Sequence, residues 1–217
     1  MPISLVAFDL DGTLVDSLRD LAESANALLV ECGAQPLDEQ AIGGMVGDGA
    51  ATLVTRAFVA AGVPQPPDAL GRFLAVYNAR LVRWTRPYPG VPSLLAELSP
   101  RVSLAVLTNK PLEATRRILE GLDLASRFPF ERVIGGDGPF PRKPDPSGLR
   151  WLAGSAGVSI DQTLLVGDSS VDWRTARAAS ARLCIARYGF GYRPEAREEP
   201  RPDDLAIDAP LDLLKAL

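Results

Sequence analysis

The chain has 217 residues, of which 47% are hydrophobic and 23% are charged, and its net charge is −4 with a sequence pI near 5.0. These values predict an ordinary globular protein and argue against nucleic acid or an anionic membrane as its main partner. The sequence contains no histidine, which excludes a Ser-His-Asp triad and any His-ligated metal site, so acid–base chemistry must rest on carboxylates, Lys, Tyr or Cys.

Two further patterns bear on location and redox state. The sequence shows no basic segment followed by an apolar run at its start and no run of about 20 apolar residues, so we expect a cytoplasmic protein without membrane association. Cys32 and Cys184 lie far apart without a CxxC pattern, which favours two lone thiols over a metal or redox pair. We expect a monomer or a homodimer, and the composition does not distinguish the two.

The first predicted element is a buried strand at Leu5 to Phe8, an uninterrupted apolar run. Two carboxylates, Asp9 and Asp11, follow it directly in the stretch FDLDGTLVDS. At about 4 Å and an effective dielectric of about 20, two like charges repel by about 4 kcal/mol, so this crowding requires compensation. The third carboxylate of the stretch, Asp16, is expected to act as a helix cap or a hinge where the chain leaves the strand.

Residues 16 to 86 have helical periodicity and contain no convincing strand. Turn-rich segments divide the stretch at Cys32 to Pro36, at Gly62 to Pro67 and at Arg86 to Gly90. We therefore predict an all-helical insert at 16–86, with the remaining core formed by 1–15 and 87–217. A single long crossover is the alternative, although about 70 residues exceed what one crossover helix needs.

From residue 87 onward the chain alternates between strand-like and helix-like segments. The apolar runs lie at Leu104 to Leu107, Arg132 to Ile134, Leu164 to Val166 and Leu183 to Ala186, and amphipathic stretches occupy Pro111 to Leu122, Pro146 to Ala156 and Asp172 to Ser180. This alternation predicts an α/β fold with a Rossmann-like, mostly parallel sheet, in which ligands bind beyond the carboxyl ends of the strands. The stretch Arg193 to Asp204 is expected to be an exposed loop.

Polar side chains follow the predicted strands at the positions where such folds bind ligands. They are Thr108, Asn109 and Lys110, then Arg142 and Lys143, and finally Asp168, Ser169 and Asp172. Taken singly, each is more typical of a turn or a helix cap than of a site. Together with Asp9 and Asp11 they provide carboxylates, a hydroxyl, an amide and lysines, a set that favours phosphoryl transfer through an aspartyl intermediate with Mg²⁺.

Four motifs resemble those of the haloacid-dehalogenase-like hydrolase superfamily. They are DLDGT at 9–13, LTN at 107–109, KPDP at 143–146 and GDSSVD at 167–172. The resemblance spans nearly the whole chain and implies a core with a five-stranded parallel sheet and a helical cap inserted after the first motif. This cap coincides with the insert predicted at 16–86.

The resemblance also implies a role for each matching residue. Asp9 is expected to be the nucleophile, and Asp11 the general acid that later activates water. The phosphate-binding residues implied are Gly12, Thr13, Thr108, Asn109 and the catalytic Lys143, with the backbone N–H groups of the first two facing the phosphate. The Mg²⁺ ligands implied are Asp9, the backbone carbonyl of Asp11, and Asp168, while Asp172 assists from behind them or through the metal's waters.

Closer similarity points to the phosphoglycolate phosphatases of the superfamily. The stretches that carry it are MVGDGAATLVTRAF at 45–58, TRPYPGV at 85–91, VIGGD at 133–137 and YGFGY at 188–192. One departure is Val171, which replaces a polar residue often seen before Asp172. The implied substrate is the small phosphomonoester 2-phosphoglycolate, and the candidates for specificity in the cap are Gly47, Asp48, Gly49 and Arg56.

The same residues bear on other activities of the superfamily. Dehalogenases lack the second aspartate, so Asp11 argues against that reaction, and phosphonate cleavage needs a cap lysine, whereas no lysine occurs between residues 1 and 109. A binding module on an inactive fold would be expected to lose Asp9, Asp11 or Lys143, and all three are present. A sugar phosphate, a nucleotide or pyrophosphate as substrate, and a β-phosphoglucomutase-like transfer, remain alternatives.

Overall fold

The computed structural model describes residues 2–194 and 201–217. The first half of the chain forms β1 (Leu5–Phe8), β2 (Val15–Asp16), α1 (Leu18–Glu31), α2 (Glu39–Gly43), α3 (Ala50–Ala61), α4 (Ala69–Asn78), β3 (Arg86–Pro87) and α5 (Val91–Leu98). The second half forms β4 (Ser103–Leu107), α6 (Leu112–Gly121), β5 (Val133–Ile134), α7 (Ser147–Ser155), β6 (Thr163–Gly167), α8 (Ser170–Ala179), β7 (Arg182–Ala186), β8 (Leu205–Ile207) and α9 (Leu213–Ala216). None of these helices has both the length and the apolar composition that a membrane span requires. The exposed loop predicted at 193–204 falls partly on 195–200, which lie outside the described residues.

The main sheet has the strand order β5-β4-β1-β6-β7-β8, and every neighbouring pair is parallel. This arrangement confirms the predicted α/β class and places β1 near the centre of the sheet. The predicted strand count of five was too low, because the described residues contain a sixth strand, β8, paired with β7. β8 has only three residues and follows a polar segment, so it carries too little apolar pattern to indicate a strand.

β1 is buried on both faces of the sheet because its side chains alternate between two apolar clusters. Val6 and Phe8 pack in the cluster that contains residues of α5 and α6, and Leu5 and Ala7 pack in the one that contains residues of α7 and α8. The first cluster also includes residues of α1, α3 and α4, so apolar packing continues from the sheet into the helices of residues 18–78. β1 is therefore packed against apolar side chains on both faces of the sheet.

A two-residue ribbon lies where the helical insert begins and ends. Val15 pairs with Pro87 and Asp16 with Arg86, antiparallel, which corrects the expectation that 16–86 contains no strand. So short a ladder leaves no alternation in the sequence. The Asp16 carboxylate also accepts a hydrogen bond from the Leu18 N–H at 3.1 Å, at the start of α1. We propose that the ribbon is the boundary between an α/β core at 1–15 and 87–217 and a helical cap at 16–86.

A buried carboxylate fixes the returning chain to the first cap helix. Asp20 on α1 has no exposed surface, and its Oδ2 accepts hydrogen bonds from the Trp84 N–H, the Thr85 N–H and the Thr85 hydroxyl, each at 2.8 Å. Three donors on one carboxylate oxygen hold the chain next to the ribbon at a fixed distance from α1.

We expect Asp20→Ala to lower the free energy of unfolding by about 3 kcal/mol, because two backbone donors and one hydroxyl lose a buried charged acceptor. Urea unfolding monitored by circular dichroism measures this loss. Asp68→Ala is the matched control, because Asp68 Oδ1 lies 3.8 Å from Arg72 Nη1 and the Asp68 side chain is 69% exposed. This substitution should lower the free energy of unfolding by less than about 0.5 kcal/mol. Equal effects of the two substitutions would contradict the prediction.

Candidate active site

The residues at the carboxyl ends of the three central strands line one crevice. Asp9 follows β1, Thr108 follows β4 and Asp168 follows β6, and these three strands are parallel neighbours. All three side chains border a single cavity between the sheet and the cap helices. Parallel topology brings them together, since the carboxyl ends of parallel strands share one edge.

Three carboxylates form a buried cluster at this edge. Asp9, Asp168 and Asp172 each offer an oxygen, and these oxygens lie within 4.8 Å of one another. Lys143 lies between two of them, with its Nζ 2.5 Å from Asp172 Oδ1 and 2.9 Å from Asp9 Oδ1. The contact with Asp172 has hydrogen-bond geometry, whereas Asp9 Oδ1 has none within the described residues and is an ion-pair contact only. One buried cation therefore faces three buried acids.

The burial and crowding of these acids shift their pKa values. Burial raises the pKa of Asp9 to about 6, although Lys143 opposes the shift and the nearby Asp172 adds to it. Burial and the charges of Asp172 and Asp9 raise the pKa of Asp168 well above its ordinary value. Burial alone would lower the pKa of Lys143, but the carboxylates of Asp172 and Asp9 outweigh it and raise that pKa. The cluster thus has more negative charge than its own lysine offsets.

The start of α8 fixes Asp172. Its Oδ2 accepts hydrogen bonds from the Ser169 N–H at 3.1 Å and the Ser169 hydroxyl at 2.6 Å, which leaves Oδ1 directed at Lys143. The Ser169 hydroxyl caps α8 in return, so the helix start and the carboxylate position depend on each other. Val171, the departure from the superfamily pattern, is buried and makes none of these hydrogen bonds.

Glycines allow the backbone to approach Asp168 closely. Gly12 has a φ of 83°, and a Cβ built on it would lie 1.9 Å from Asp168 Oδ2. On the opposite side, the Gly191 N–H donates to the same oxygen at 2.7 Å, and a Cβ on Gly189 would lie 2.3 Å from Asp168 Cβ. The segment 188–192 was assigned no site role from the sequence, and only its repeated glycines signalled a close approach.

The loop at Gly12 and Thr13 uses its backbone N–H groups internally. The Gly12 N–H donates to the Val15 carbonyl at 2.9 Å, and the Thr13 N–H donates to the Leu10 carbonyl at 3.2 Å. Both N–H groups are therefore already bonded to backbone carbonyls in this structure, whereas the sequence predicted that they face a phosphate. The Thr13 hydroxyl is fully buried and has no partner within the described residues.

Thr108 and Asn109 are both buried at the end of β4. The Thr108 hydroxyl accepts a hydrogen bond from the Lys110 N–H at 3.2 Å. The Asn109 amide nitrogen donates to the Gly47 carbonyl and to the Lys143 carbonyl, both at 2.9 Å. Asn109 thus connects the cap turn at 47–49 to the loop that carries Lys143.

A second buried lysine, Lys110, lies beside Asp11; the sequence placed it among the polar residues at the strand ends but gave it no individual role. Lys110 Nζ donates to both carboxylate oxygens of Asp11, at 2.9 and 3.0 Å, and to the Tyr77 hydroxyl on cap helix α4 at 2.6 Å. Ser17 adds a hydrogen bond to Asp11 Oδ1 at 2.5 Å. Burial alone would lower the pKa of Lys110, but Asp11 and Tyr77 raise it, so the ammonium stays charged. Asp11 faces a cation different from that of Asp9.

The cap candidates occupy two different places. Gly47 and Gly49 border the crevice, and α3 begins at Ala50, directly after their turn. Arg56 borders a neighbouring cavity instead, where its Nη2 lies 2.6 Å from Asp48 Oδ2 and its Nη1 donates to the Met45 carbonyl at 3.0 Å. The Arg56 guanidinium therefore binds Asp48 of the cap turn and the Met45 carbonyl rather than facing the crevice.

The wall that the cap contributes to the crevice is mainly apolar. Its lining side chains from the cap include Leu21, Val46, Ala50, Leu53, Phe73 and Leu74. The opposite wall carries the acids, hydroxyl, amide and lysine of the core. A site of this kind holds a small polar group against the core and shields it from water.

Comparison with known proteins agrees with this geometry. The model of the family described as haloacid dehalogenase-like hydrolase matches residues 6–186. The phosphoglycolate phosphatase of Rhodospirillum rubrum is 46% identical over 200 residues, which cover 88% of this chain and 82% of that protein. The phosphoglycolate phosphatase of Pseudomonas putida is 38% identical over 213 residues, which cover 94% of this chain and 76% of that protein.

The fold has a solved counterpart at nearly full length. The crystal structure of a predicted phosphoglycolate phosphatase from Haemophilus somnus superposes with a TM-score of 0.88 at 31% identity, over 98% of this chain and 97% of that one. The matched span contains all four motifs that carry the crevice residues. The chain therefore belongs to the haloacid dehalogenase-like hydrolase family, in its phosphoglycolate phosphatase-like branch, and is a phosphoric monoester hydrolase.

Proposed function

We propose that this chain is a Mg²⁺-dependent phosphatase that hydrolyses 2-phosphoglycolate through an aspartyl-phosphate on Asp9. The observation that carries the proposal is the cluster of Asp9, Asp168 and Asp172 around Lys143, buried at the carboxyl ends of the central strands. A buried carboxylate beside a fixed lysine is suited to attack a phosphorus atom that the same lysine orients.

The donor set fits a hard divalent cation. Three buried carboxylates within 4.8 Å provide oxygen ligands only, which is the chemistry that Mg²⁺ prefers. Asp9, Asp168 and the backbone carbonyl of Asp11 would hold the ion, with Asp172 supporting them from behind. When bound, Mg²⁺ offsets the negative charge of the acids and of the substrate phosphate.

The first half of the reaction transfers the phosphoryl group to the enzyme. An oxygen of Asp9 forms a bond to phosphorus while the bond from phosphorus to the ester oxygen breaks. Asp11 enters this step protonated and gives its proton to that leaving oxygen, so that an alcohol departs rather than an alkoxide. Thr108, Asn109 and Lys143 hold the remaining phosphate oxygens.

The second half regenerates Asp9. Asp11, now a carboxylate, takes a proton from water, and the water oxygen attacks phosphorus as the acyl-phosphate bond breaks. Inorganic phosphate leaves, and Asp9 returns as a carboxylate. The apolar cap wall keeps other water away while the acyl-phosphate exists, and the cap opens to admit substrate and release product.

The choice of substrate rests on the relatives and on the crevice. Relatives named phosphoglycolate phosphatase match most of the chain at 36–46% identity.

The same proposal includes a cytoplasmic location, because both cysteines are free and Cys184 is buried, as expected of a protein in a reducing compartment.

A substrate panel on metal-depleted protein tests the proposal. With Mg²⁺ restored, we expect 2-phosphoglycolate to give the highest kcat/KM among hexose phosphates, nucleoside monophosphates and pyrophosphate. Without Mg²⁺, phosphate release should fall by at least about 100-fold, because the clustered acids then repel the substrate phosphate. A flat profile, or a preference for another compound, would overturn the substrate assignment, and full turnover after chelation would overturn the metal assignment.

A further inference from the structure

Lys110 differs in position from the other cations near the crevice. It borders the crevice itself and is the one lysine or arginine that does so within the described residues, whereas Lys143 adjoins the crevice through its contact with Asp9. Its side chain is 4% exposed, so the charge is held in an environment that screens it little. No step of the proposed reaction uses Lys110.

The hydrogen bonds of Lys110 show how it can receive a second anion. Its Nζ has three protons, which now face Tyr77 Oη and the two oxygens of Asp11. Releasing one Asp11 oxygen frees one donor, because the other oxygen keeps its contact. The Tyr77 hydroxyl accepts from Lys110, so its own proton is left to donate to an incoming oxygen.

We propose that Lys110 and Tyr77 bind the carboxylate of the substrate, and that this pair makes the enzyme select phosphomonoesters with an adjacent carboxylate. The inference rests on the proposed phosphatase function and names the specificity site within it. In 2-phosphoglycolate only an oxygen and a methylene separate phosphorus from the carboxylate carbon. The receiving cation must therefore adjoin the phosphate site, and the Lys110 ammonium contacts both oxygens of Asp11, the proposed proton donor to the ester oxygen.

Two arginines near the cap turn do not border the crevice. Arg56 pairs with Asp48 and borders the neighbouring cavity. Arg142 donates through its Nε to the Gly136 carbonyl at 2.8 Å and does not border the crevice. Lys110 is thus the cation that a substrate carboxylate meets within this crevice.

The test compares 2-phosphoglycolate with ethyl phosphate, in which a methyl group replaces the carboxylate. We expect wild-type protein to prefer 2-phosphoglycolate, and Lys110→Met to lower the ratio of the two kcat/KM values by about 10- to 100-fold, the usual range for a buried hydrogen bond to a charged group. Tyr77→Phe should lower the ratio less, because it removes one uncharged donor. The ratio is the readout, since any effect of the lost Lys110–Asp11 contact on the chemical step falls on both substrates.

Two further variants make the result specific. Lys215→Met applies the same substitution to a lysine whose side chain is 81% exposed, and its ratio should equal that of the wild type. Arg56→Met removes the alternative cap cation and should also leave the ratio unchanged. An equal fall for both substrates in Lys110→Met, or a collapse of the ratio in Arg56→Met, would overturn the inference.

Binding separates this inference from the proposed function. The dissociation constants of both compounds are measured by calorimetry with Mg²⁺, on an Asp9→Asn protein with and without Lys110→Met. A preference that depends on Lys110 supports the inference even if wild-type protein hydrolyses neither compound, an outcome that would refute the phosphatase. Hydrolysis of both compounds without any such preference would keep the phosphatase and refute the inference.

Discussion

Asp9→Asn should abolish phosphate release, with kcat falling by at least about 10⁴-fold, while the protein stays folded. An amide cannot form the aspartyl-phosphate, and Asp11, the other carboxylate that follows β1, is paired with Lys110. The folded state should not suffer, because burial already raises the pKa of Asp9 and so disfavours its charged form. Phosphate release with saturating Mg²⁺ and the thermal midpoint from circular dichroism check both halves of this prediction.

Asp16→Asn is the matched control in the same stretch. The Asp16 carboxylate accepts a hydrogen bond from the Leu18 N–H, two residues on, and the side-chain oxygen of asparagine can accept the same bond. We expect this variant to retain wild-type turnover and stability. Substantial turnover by a folded Asp9→Asn protein would contradict the assignment of Asp9 as the nucleophile.

Lys143→Met is expected to have the largest combined effect on stability and activity. In metal-free buffer the free energy of unfolding should fall by about 3–5 kcal/mol, because Asp9 and Asp172 then lie buried without their shared cation. Phosphate release should fall at least about 100-fold, because a buried charged contact to the phosphate is lost. Urea unfolding and a phosphate assay measure the two effects.

Magnesium provides an internal check on that substitution. If the cluster binds the ion, Mg²⁺ should stabilise Lys143→Met by more than it stabilises the wild type, because the variant has more uncompensated charge. Lys215→Met is again the control, since its exposed pair with Asp212 contributes less than about 1 kcal/mol. A Lys143→Met protein as stable and active as the wild type would contradict the assignment.

The core of the fold was predictable because its signals are local. Leu5–Phe8 is a continuous apolar run, and the residues between Ser103 and Ala186 alternate between strand and helix patterns, so both periodicities were visible. β8 and the ribbon at Asp16 and Arg86 were missed for the converse reason. Two or three residues cannot establish a period, and such strands are stabilised by partners distant in the sequence.

The clustering of the candidate site residues was predictable to the extent that it follows from parallel strand topology. Asp9, Asp168 and Asp172 lie together because each follows a strand or starts a helix at one sheet edge. The contact between Lys110 and Tyr77 is different, because it joins a core loop to a cap helix across 33 residues of sequence. No periodicity encodes how the cap packs on the core, so this contact is visible only in the folded chain.

The two hydrogen bonds of Asn109 have a consequence for affinity. A phosphate oxygen that bonds this amide must replace the carbonyl of either Gly47 or Lys143. The gain is then the difference between a hydrogen bond to a charged phosphate, worth about 1.5–3 kcal/mol net, and one to a neutral carbonyl, worth about 1 kcal/mol. Asn109 therefore adds only part of the value of its new hydrogen bond to the strength of phosphate binding. If Gly47 is the acceptor replaced, we expect phosphate binding at Asn109 to break this contact between the core and the cap turn.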